Sequence, residues 1–371
     1  MALARSTLFI LSFVTTLVLH RLGVSPPWQF TLAALTIIPL AGEITAATNR
    51  LARELGPLVG GLINASAANL TELILTGLSL AAGLVYLVQA AVLGAILSNT
   101  LLVLGLAMVV GGANHTTQRV NPTLTSTSSS QLVVGLTALL LPSLLHWLRK
   151  TGTTGTDSVY LNVGIALILL ATYALSTWYA LTTGGRHREE TAGSPPASPV
   201  TAPSTTTALG SSSPAGERRR KIWLAAGNLV IAALAVGWVS EVLVHTVQDT
   251  VWAWGLRPRF VGLIVLPFLG NAVENVAAVL AAREGRMTLA YEIAIGSSTQ
   301  IALFVLPLLV LLGLVLHQPL TFAFPPLEIL ALTAGIALAT LVYLDSHSNW
   351  LEGAQLLATY GILALVFLAA K

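Results

Sequence analysis

The feature that most constrains this chain is a series of long apolar stretches, each of a length that suits a membrane-crossing helix. About 20 apolar residues in a helix span the roughly 30 Å of hydrocarbon in a bilayer. Eleven such stretches occur, at about 6–23, 28–48, 57–80, 86–111, 131–148, 160–182, 222–246, 260–282, 288–314, 324–344 and 350–369. The sequence therefore predicts an all-α polytopic membrane protein with eleven transmembrane helices.

The composition agrees with that fold and excludes several classes of protein. Hydrophobic residues make up 55% of the chain and charged residues only 9%, whereas a soluble domain carries about 25% charged residues. A soluble enzyme, a secreted scaffold and a disordered chain are therefore excluded. Because the chain has no cysteine, disulfides and thiolate metal sites are excluded as well. The sequence has no P-loop, HExxH or GxSxG motif, so we expect neither an enzyme nor a cofactor.

A polar segment near the middle divides the chain into two halves. It is rich in Ser, Thr, Pro and Gly, a composition that cannot bury apolar area. The predicted organisation is an extra N-terminal transmembrane helix at 1–25, five helices at 26–183, a disordered linker at 184–220 and five helices at 221–371. A smaller polar patch, Thr123–Ser130, is predicted to be a loop before the fifth helix.

The positive charges predict the orientation, because cytoplasmic loops of membrane proteins carry an excess of Lys and Arg. Of the 18 bases, twelve fall on the side of the N-terminus and the linker, and six on the other side. We therefore expect the N-terminus and the linker to be cytoplasmic, in a prokaryotic cell (inner) membrane. The same bias explains the bases around the linker, so no nucleic-acid partner is expected.

The two halves carry a matching motif. Residues 68–72 read ANLTE, and residues 270–274, 202 positions later, read GNAVE. The same offset carries Gly94 onto Gly296 in the helix that follows each motif. Because each half has five helices, an odd number, the second half would be inverted relative to the first. Two inverted five-helix repeats after an extra N-terminal helix are typical of secondary transporters.

Two glutamates in these motifs are the main candidates for a functional site. Glu72 and Glu274 lie inside predicted helices that hold no Lys or Arg, and a carboxylate at that depth costs about 2.5–3.5 kcal/mol on insertion scales. Asn69 and Asn271 lie three residues earlier, on the same helix face. Carboxylates with neutral oxygen donors suit a hard cation such as Ca²⁺. The following helices add further oxygen donors, which are Ser98, Asn99, Ser297, Ser298 and Gln300.

Glu241 is a third acidic candidate, 33 positions before Glu274 and near the predicted end of the seventh helix. A gate, a proton relay and an interfacial group are all open for it. We predict that it tunes proton access and does not bind the cation directly. The other glutamates near helix ends are interpreted as interfacial groups, and they are Glu43, Glu292, Glu328 and Glu352.

Several stretches around these residues have a familiar pattern. Phe260–Val279 reads FVGLIVLPFLGNAVENVAAV, Gly60–Thr76 reads GGLINASAANLTELILT, and Ile295–Gly313 reads IGSSTQIALFVLPLLVLLG. They resemble the second signature helix, the first signature helix and the helix after the second signature of the calcium/proton antiporter (CAX) family of the calcium/cation antiporter superfamily. The resemblance implies eleven helices and a site in which Glu72 and Glu274 hold Ca²⁺ and also carry protons. It further implies a polar lining made of Asn69, Asn271, Ser297, Ser298 and Gln300.

The predicted function is exchange of Ca²⁺ for H⁺ by alternating access, with Ca²⁺, H⁺ and the lipid bilayer as the expected partners. Exchange of another cation, or of Ca²⁺ against Na⁺, stays open, because residue chemistry alone does not separate H⁺ from Na⁺ coupling. A membrane-embedded acid/base enzyme would need a nucleophile or a substrate pocket, for which there is no motif. A passive channel would need a ring of sites from an oligomer.

Overall fold

The structure, a computed structural model, describes residues 2–56, 59–60, 63, 66–67, 69–113, 117–148, 155–190 and 215–370. Nearly all of this is helical. The helices are α1 (Ala2–Arg21), α2 (Pro26–Leu55), α3 (Leu70–Ala81), α4 (Val85–Leu97), α5 (Leu104–Gly112), α6 (Pro122–Leu148), α7 (Gly155–Glu190), α8 (Ala215–Trp254), α9 (Pro258–Phe260), α10 (Leu266–Gly270), α11 (Ala272–Arg283), α12 (Met287–Gln300), α13 (Leu306–Val315), α14 (Pro326–Val342) and α15 (Trp350–Ala369). Two short strands, β1 (Gln118–Arg119) and β2 (His347–Ser348), pair antiparallel.

Three π-helical turns join neighbouring helices into longer rods. They connect α4 to α5, α9 to α10 and α12 to α13, and they are Ser98–Val103, Val261–Val265 and Ile301–Val305. A π-turn carries an extra residue in the helix and is frequent at functional sites. The first and third lie beside the polar residues that the sequence singles out.

Seven helices of the described chain are long and apolar enough to cross a membrane. An eighth candidate is a bent pair, Pro258–Gly270 and Ala272–Arg283, whose axes differ by 63°. Three shorter apolar helices are Ile10–Arg21, Leu70–Ala81 and Pro326–Val342. The predicted helical membrane fold is thus confirmed, whereas the count of eleven spans and the inversion of the halves stay predictions.

Helix bounds recur at the spacing that separates the two motifs. Helices α3 and α11 each have 12 residues and lie 202 positions apart. Each is followed by a glycine with positive φ, Gly83 at 77° and Gly285 at 74°, a conformation that glycine adopts without a steric cost. The next helices, α4 and α12, begin at the same offset and both lead into a π-turn.

The predicted loop at Thr123–Ser130 is wrong, because these residues form the first turns of α6. Pro122 occupies the first position of the helix, where its missing N–H costs nothing. The Asn121 side chain accepts from the backbone N–H of Thr123 at 3.0 Å, as an N-cap does. The hydroxyls within the run donate to carbonyls three or four residues earlier, so the polar side chains are satisfied inside a helix.

Helices also extend into both ends of the predicted linker, 184–220. Helix α7 continues to Glu190 and α8 begins at Ala215. Helix α8 carries four bases in its first turns, one of which, Lys221, pairs with Glu217 at 2.9 Å. The rest of the predicted linker, 191–214, lies outside the described residues.

Side-chain contacts assign the helix ends to two opposite faces of the bundle. On one, the loop after α3 meets the loop after α13, where Gly83 lies against the Gln318 side chain. On the other, the Gln118 side chain donates to the Ala282 carbonyl at 3.3 Å, and β1 pairs with β2. We call these the Gly83 face and the Gln118 face.

The apolar core has two parts. The larger part gathers α4, α5, α12, α13 and α14, and the smaller part is built mainly by α2 and α8. Helices α2 and α8 run antiparallel. Arg218 donates to the Glu54 carbonyl at 2.7 Å at one end, and the rings of Phe30 and Trp254 lie 5.9 Å apart at the other. The candidate site lies where α2 and α8 meet α3 and α11, the helices that carry the two matching motifs.

Candidate cation site

The site begins with two helix breaks that have the same backbone geometry. Asn69 immediately precedes α3 with φ −100° and ψ 24°, and Asn271 immediately precedes α11 with φ −98° and ψ 9°. Neither side chain caps its own helix, so both amides are available to other groups. Each side chain is about 1% exposed.

The two glutamates sit in the first turns of the helices that start at these breaks. Glu72 lies in α3 and Glu274 in α11, where the partial positive charge of a helix N-terminus favours a carboxylate. The Glu72 carboxylate lies against the backbone of Gly270, since a Cβ there would stand 3.7 Å from Glu72 Oε1. Glu274 lies four residues after Gly270, in the same motif. The structure therefore brings the two matching motifs together.

A hydrogen-bonded network links the first motif to the second half of the chain. Asn69 Nδ2 donates to Gln300 Oε1 at 2.6 Å, and Ser297 Oγ donates to Asn69 Oδ1 at 3.5 Å. Asn99 Nδ2 donates to Ser297 Oγ at 3.1 Å. The Ser297 hydroxyl also interacts with the Glu274 carboxylate. Asn69, Gln300, Ser297 and Glu274 thus share one network with Asn99.

The remaining predicted lining residues have other surroundings. Asn271 Nδ2 donates to the Pro267 carbonyl at 3.3 Å, whereas its Oδ1 is buried and has no hydrogen-bond partner among the described residues. Ser298 Oγ donates to the carbonyls of Ala294 and Ile96 at 3.1 and 3.5 Å. Its hydroxyl therefore joins two helix backbones and is not part of the network around Asn69.

A small cavity adjoins Glu72. Its polar lining consists of Glu72, Thr76 and Asn271, and the rest is apolar or backbone. Among its lining residues, Thr76 of α3 and Leu266 of α10 lie on the Gly83-face side of Glu72. The cavity therefore reaches from the carboxylate toward the Gly83 face.

Glu241 lies deeper in its helix than predicted. Helix α8 continues to Trp254, so Glu241 is 13 residues from its end and not near it. It is exposed, although it follows the buried residue Ser240. The rings of Phe30 in α2 and Trp254 in α8 are in contact, and Glu43 likewise lies 13 residues from that contact, along α2. Because these helices are antiparallel, Glu43 and Glu241 lie at similar depth, about 20 Å from that contact.

Asn275 is a polar residue that the candidate set omits. It follows Glu274 in α11, is buried, and neither its Oδ1 nor its Nδ2 has a hydrogen-bond partner among the described residues. Its place next to Glu274 and one helical turn after Asn271 is the sequence signal that could have identified it.

Glu328 lies near a helix end, as predicted, but its side chain is 0% exposed and is buried against Arg259. Its Oε1 lies 3.1 Å from Arg259 Nε. Arg259 also donates to the Tyr86 hydroxyl, and its guanidinium lies 5.4 Å from the centre of the Tyr86 ring. No local pattern pairs residues that are this far apart in the chain, so the sequence alone could not reveal this cluster.

The arrangement can hold a hard cation with few protein charges. Among the described residues, no three His, Asp or Glu side chains come together as a metal-binding group. Two carboxylates supply the charge that balances one divalent cation, and the amide and hydroxyl oxygens supply neutral ligands of the kind that Ca²⁺ takes. Oxygen-only donors of this type are unsuited to soft metals.

Comparisons with known proteins agree with this fold. The sodium/calcium exchanger protein family matches residues 25–182 and 224–369. A Ca²⁺/H⁺ antiporter of Synechocystis sp. is 36% identical over 353 residues, which cover 94% of this chain and 92% of the relative. The Ca²⁺/H⁺ antiporter ChaA of Bacillus subtilis is 33% identical over 344 residues, covering 91% of each chain.

Solved structures show the same architecture. Native YfkE superposes with a TM-score of 0.80 at 28% identity, covering 98% of this chain and 99% of that chain. The H⁺/Ca²⁺ exchanger CAX superposes with a TM-score of 0.73 at 14% identity, covering 99% and 92%, and supports the fold alone. The resemblance seen in the sequence is confirmed. The chain belongs to the sodium/calcium exchanger protein family and, within it, to the calcium/proton antiporters of the CAX group.

Proposed function

We propose that this protein exchanges Ca²⁺ for H⁺ across a membrane by alternating access, with Glu72 and Glu274 as a shared binding site. The observation that carries the proposal is the meeting of the two motifs, in which the Glu72 carboxylate lies against Gly270 next to the break at Asn271. The relatives whose names describe Ca²⁺/H⁺ antiporters support the choice of ions.

Charge balance explains how one site couples two ions. Two nearby carboxylates in a poorly solvated region repel each other, and desolvation further disfavours their charged forms. One Ca²⁺ neutralises the pair, and so do two protons, whereas the empty site retains about two negative charges. Moving that empty site through an occluded state costs free energy. The protein therefore changes sides loaded with one cargo or the other, which gives exchange and suppresses leak.

The oxygen ligands follow from the same geometry. Asn69 and Asn271 are placed to complete the oxygen shell of the cation, because both lie one turn before a glutamate and neither caps its own helix. Ser297 and Gln300 hold the Asn69 side chain. We place Ser298 on the ion path, where a rotation of its hydroxyl away from the Ile96 and Ala294 carbonyls would expose it to the cation.

The architecture that serves this exchange is a pair of inverted five-helix repeats after an extra N-terminal helix, with eleven spans in total. The matching bounds of α3 and α11 and the recurring π-turns support the duplication. We assign the Gln118 face to the cytoplasm of a prokaryotic inner membrane, because α8 begins near that face with four consecutive bases.

Glu241 is assigned to proton access. It is exposed at a similar depth to Glu43 on the antiparallel helices α2 and α8, and it lies outside the network around Asn69. A carboxylate that is exposed at this depth is suited to relay protons toward the site.

Flux into reconstituted vesicles tests the function. The purified protein is placed in liposomes with a pH gradient, and uptake of Ca²⁺, Mn²⁺, Mg²⁺, Na⁺ and K⁺ is followed in turn. We expect Ca²⁺ uptake that needs the proton gradient, moves protons in the opposite direction and is inhibited competitively at lower pH. Uptake driven by Na⁺ in place of H⁺ would favour a Na⁺-coupled exchanger. Uptake without any counter-ion would indicate a channel, and either result contradicts the proposal.

A further inference from the structure

The cluster of Arg259, Glu328 and Tyr86 joins three parts of the chain on the Gly83 face. Arg259 lies in α9 at the start of the bent span, Tyr86 in the first turn of α4, and Glu328 in the first turn of α14. The exposed fractions of the paired side chains are 27% for Arg259 and 0% for Glu328. Removing one partner of such an ion pair destabilises the arrangement that it holds, because the other charge is left buried without a counter-charge.

The segment that Arg259 anchors also closes the cavity next to Glu72. Helix α9, its π-turn and α10 run from Arg259 to Gly270, and α10 lines the cavity with Leu266, Pro267 and Gly270. The π-turn packs closely on α4, since a Cβ at Gly94 would overlap the Leu263 carbonyl and a Cβ at Gly262 would overlap Ala90. This packing holds the segment against α4 beside the cavity.

The same segment has the features of a part that moves as a unit. It ends at Asn271, where the axis bends by 63°. It contains a π-turn, which weakens the regular helix. The outer end of the segment is joined to α14 by the ion pair of Arg259 with Glu328.

We propose that the ion pair of Arg259 with Glu328 is a latch that holds residues 258–270 closed over the cavity, and that its release opens a path from the Gly83 face to Glu72. The role of this path in cation transport rests on the exchange function proposed above. Tyr86 positions the guanidinium by accepting its hydrogen bond and by contact with its ring.

Because the chain has no cysteine, a single introduced thiol can report on the opening. Ala95 lines the cavity, so the Ala95→Cys variant of the full chain is reacted with a membrane-impermeant maleimide in detergent. Adding Glu328→Gln or Arg259→Gln should raise the labelling rate about tenfold or more, because removing one partner of a buried ion pair weakens the closed arrangement. Arg259→Lys keeps the charge and should stay near the parent rate.

A matched reporter separates opening from loss of structure. Ala339→Cys lies buried in α14 and outside the cavity, so its labelling should not change in the latch variants. Unchanged labelling of Ala95→Cys in both Gln variants would overturn the latch, and so would an equal rise at both thiols. Labelling does not require transport, so failure of Ca²⁺ exchange in vesicles would refute the proposed function without altering this result.

Discussion

The two helix breaks are alike in their backbone and different in their surroundings. Asn69 and Asn271 share φ and ψ to within about 15°, and each lies three residues before a glutamate. Yet the Asn69 side chain is held by Gln300 and Ser297, whereas the Asn271 side chain bonds only to a carbonyl of α10, and its Oδ1 has no partner among the described residues.

The motif alone sets the backbone geometry at each break, whereas residues of other helices set the side-chain contacts. The motif gives each glutamate the same place in a helix that starts at a break. The network around Asn69 depends on Ser297 and Gln300, whose counterparts at the same offset are Ala95 and Ser98. An alanine cannot donate a hydrogen bond, so the second motif lacks the equivalent support. The two motifs are therefore expected to respond unequally to the same substitution.

The largest effect should come from the glutamates, where the halves are expected to be equivalent. Glu72→Gln and Glu274→Gln should each abolish Ca²⁺/H⁺ exchange in vesicles, because one carboxylate cannot balance a divalent cation in a poorly solvated site. Equilibrium Ca²⁺ binding to the purified protein should be lost in parallel. Glu284→Gln, a change in an exposed side chain on the Gln118 face, is the matched control and should retain exchange. Exchange at the parent rate in either site variant would refute the shared site.

The asparagines should distinguish the two halves. Asn69→Ala leaves Gln300 and Ser297 without their partner, and an unsatisfied buried polar group costs about 1–3 kcal/mol. It should therefore lower both the apparent Ca²⁺ affinity and the thermal stability of the ion-free protein. Asn271→Ala removes an oxygen that has no described partner, so it should lower Ca²⁺ affinity with little change in stability. Isothermal binding and thermal unfolding measure the two quantities, and equal destabilisation by both variants would contradict the comparison.

A smaller effect is expected at Glu241, which lies on the pair formed by α2 and α8. Glu241→Gln should shift the pH dependence of exchange while leaving Ca²⁺ affinity nearly unchanged, because the carboxylate relays protons and is not a ligand. Asp249→Asn, also exposed and two turns further along α8, serves as the control and should leave the pH profile in place. Complete loss of Ca²⁺ binding in Glu241→Gln would move that side chain into the site.

The smallest effect is expected from the linker. Replacing residues 190–214 with a Gly/Ser spacer of equal length should leave exchange near normal, because a segment of this composition cannot form a core and the two halves pack through their helices. Vesicle flux, normalised to the inserted protein, measures the outcome. Loss of exchange with normal insertion would show that the linker regulates transport.

Much of the helical framework could be predicted because apolar length and helix length are tied by the thickness of the bilayer. The error at Thr123–Ser130 arose because hydroxyls that favour loops can also bond within a helix. The predicted end of the seventh helix was too early, since α8 runs on to Trp254 through polar residues such as Gln248 and Asp249. Polarity marks where a helix leaves an apolar environment and not where it ends.

The candidate site was predictable where its parts lie close together in the sequence. Asn69 with Glu72, and Asn271 with Glu274, follow from helical spacing. The pairing of Arg259 with Glu328 depends on how α9 packs against α14, and a single sequence holds no signal for it. The same is true of the bond from Asn69 to Gln300, which joins residues from opposite halves.

The apolar lining of the cavity beside Glu72 affects the rate at which ions reach the site as well as the affinity of the site for them. A wall of Leu, Val, Ile and Ala side chains offers a hydrated ion few replacements for its water molecules, and narrow hydrophobic passages tend to dry. An ion that passes such a wall must give up part of its hydration shell before it meets a carboxylate. Mg²⁺ dehydrates reluctantly, whereas Ca²⁺ accepts irregular and changing coordination. Discrimination between these two ions is therefore expected to arise in the time each needs to shed water, before any ligand of the site is reached.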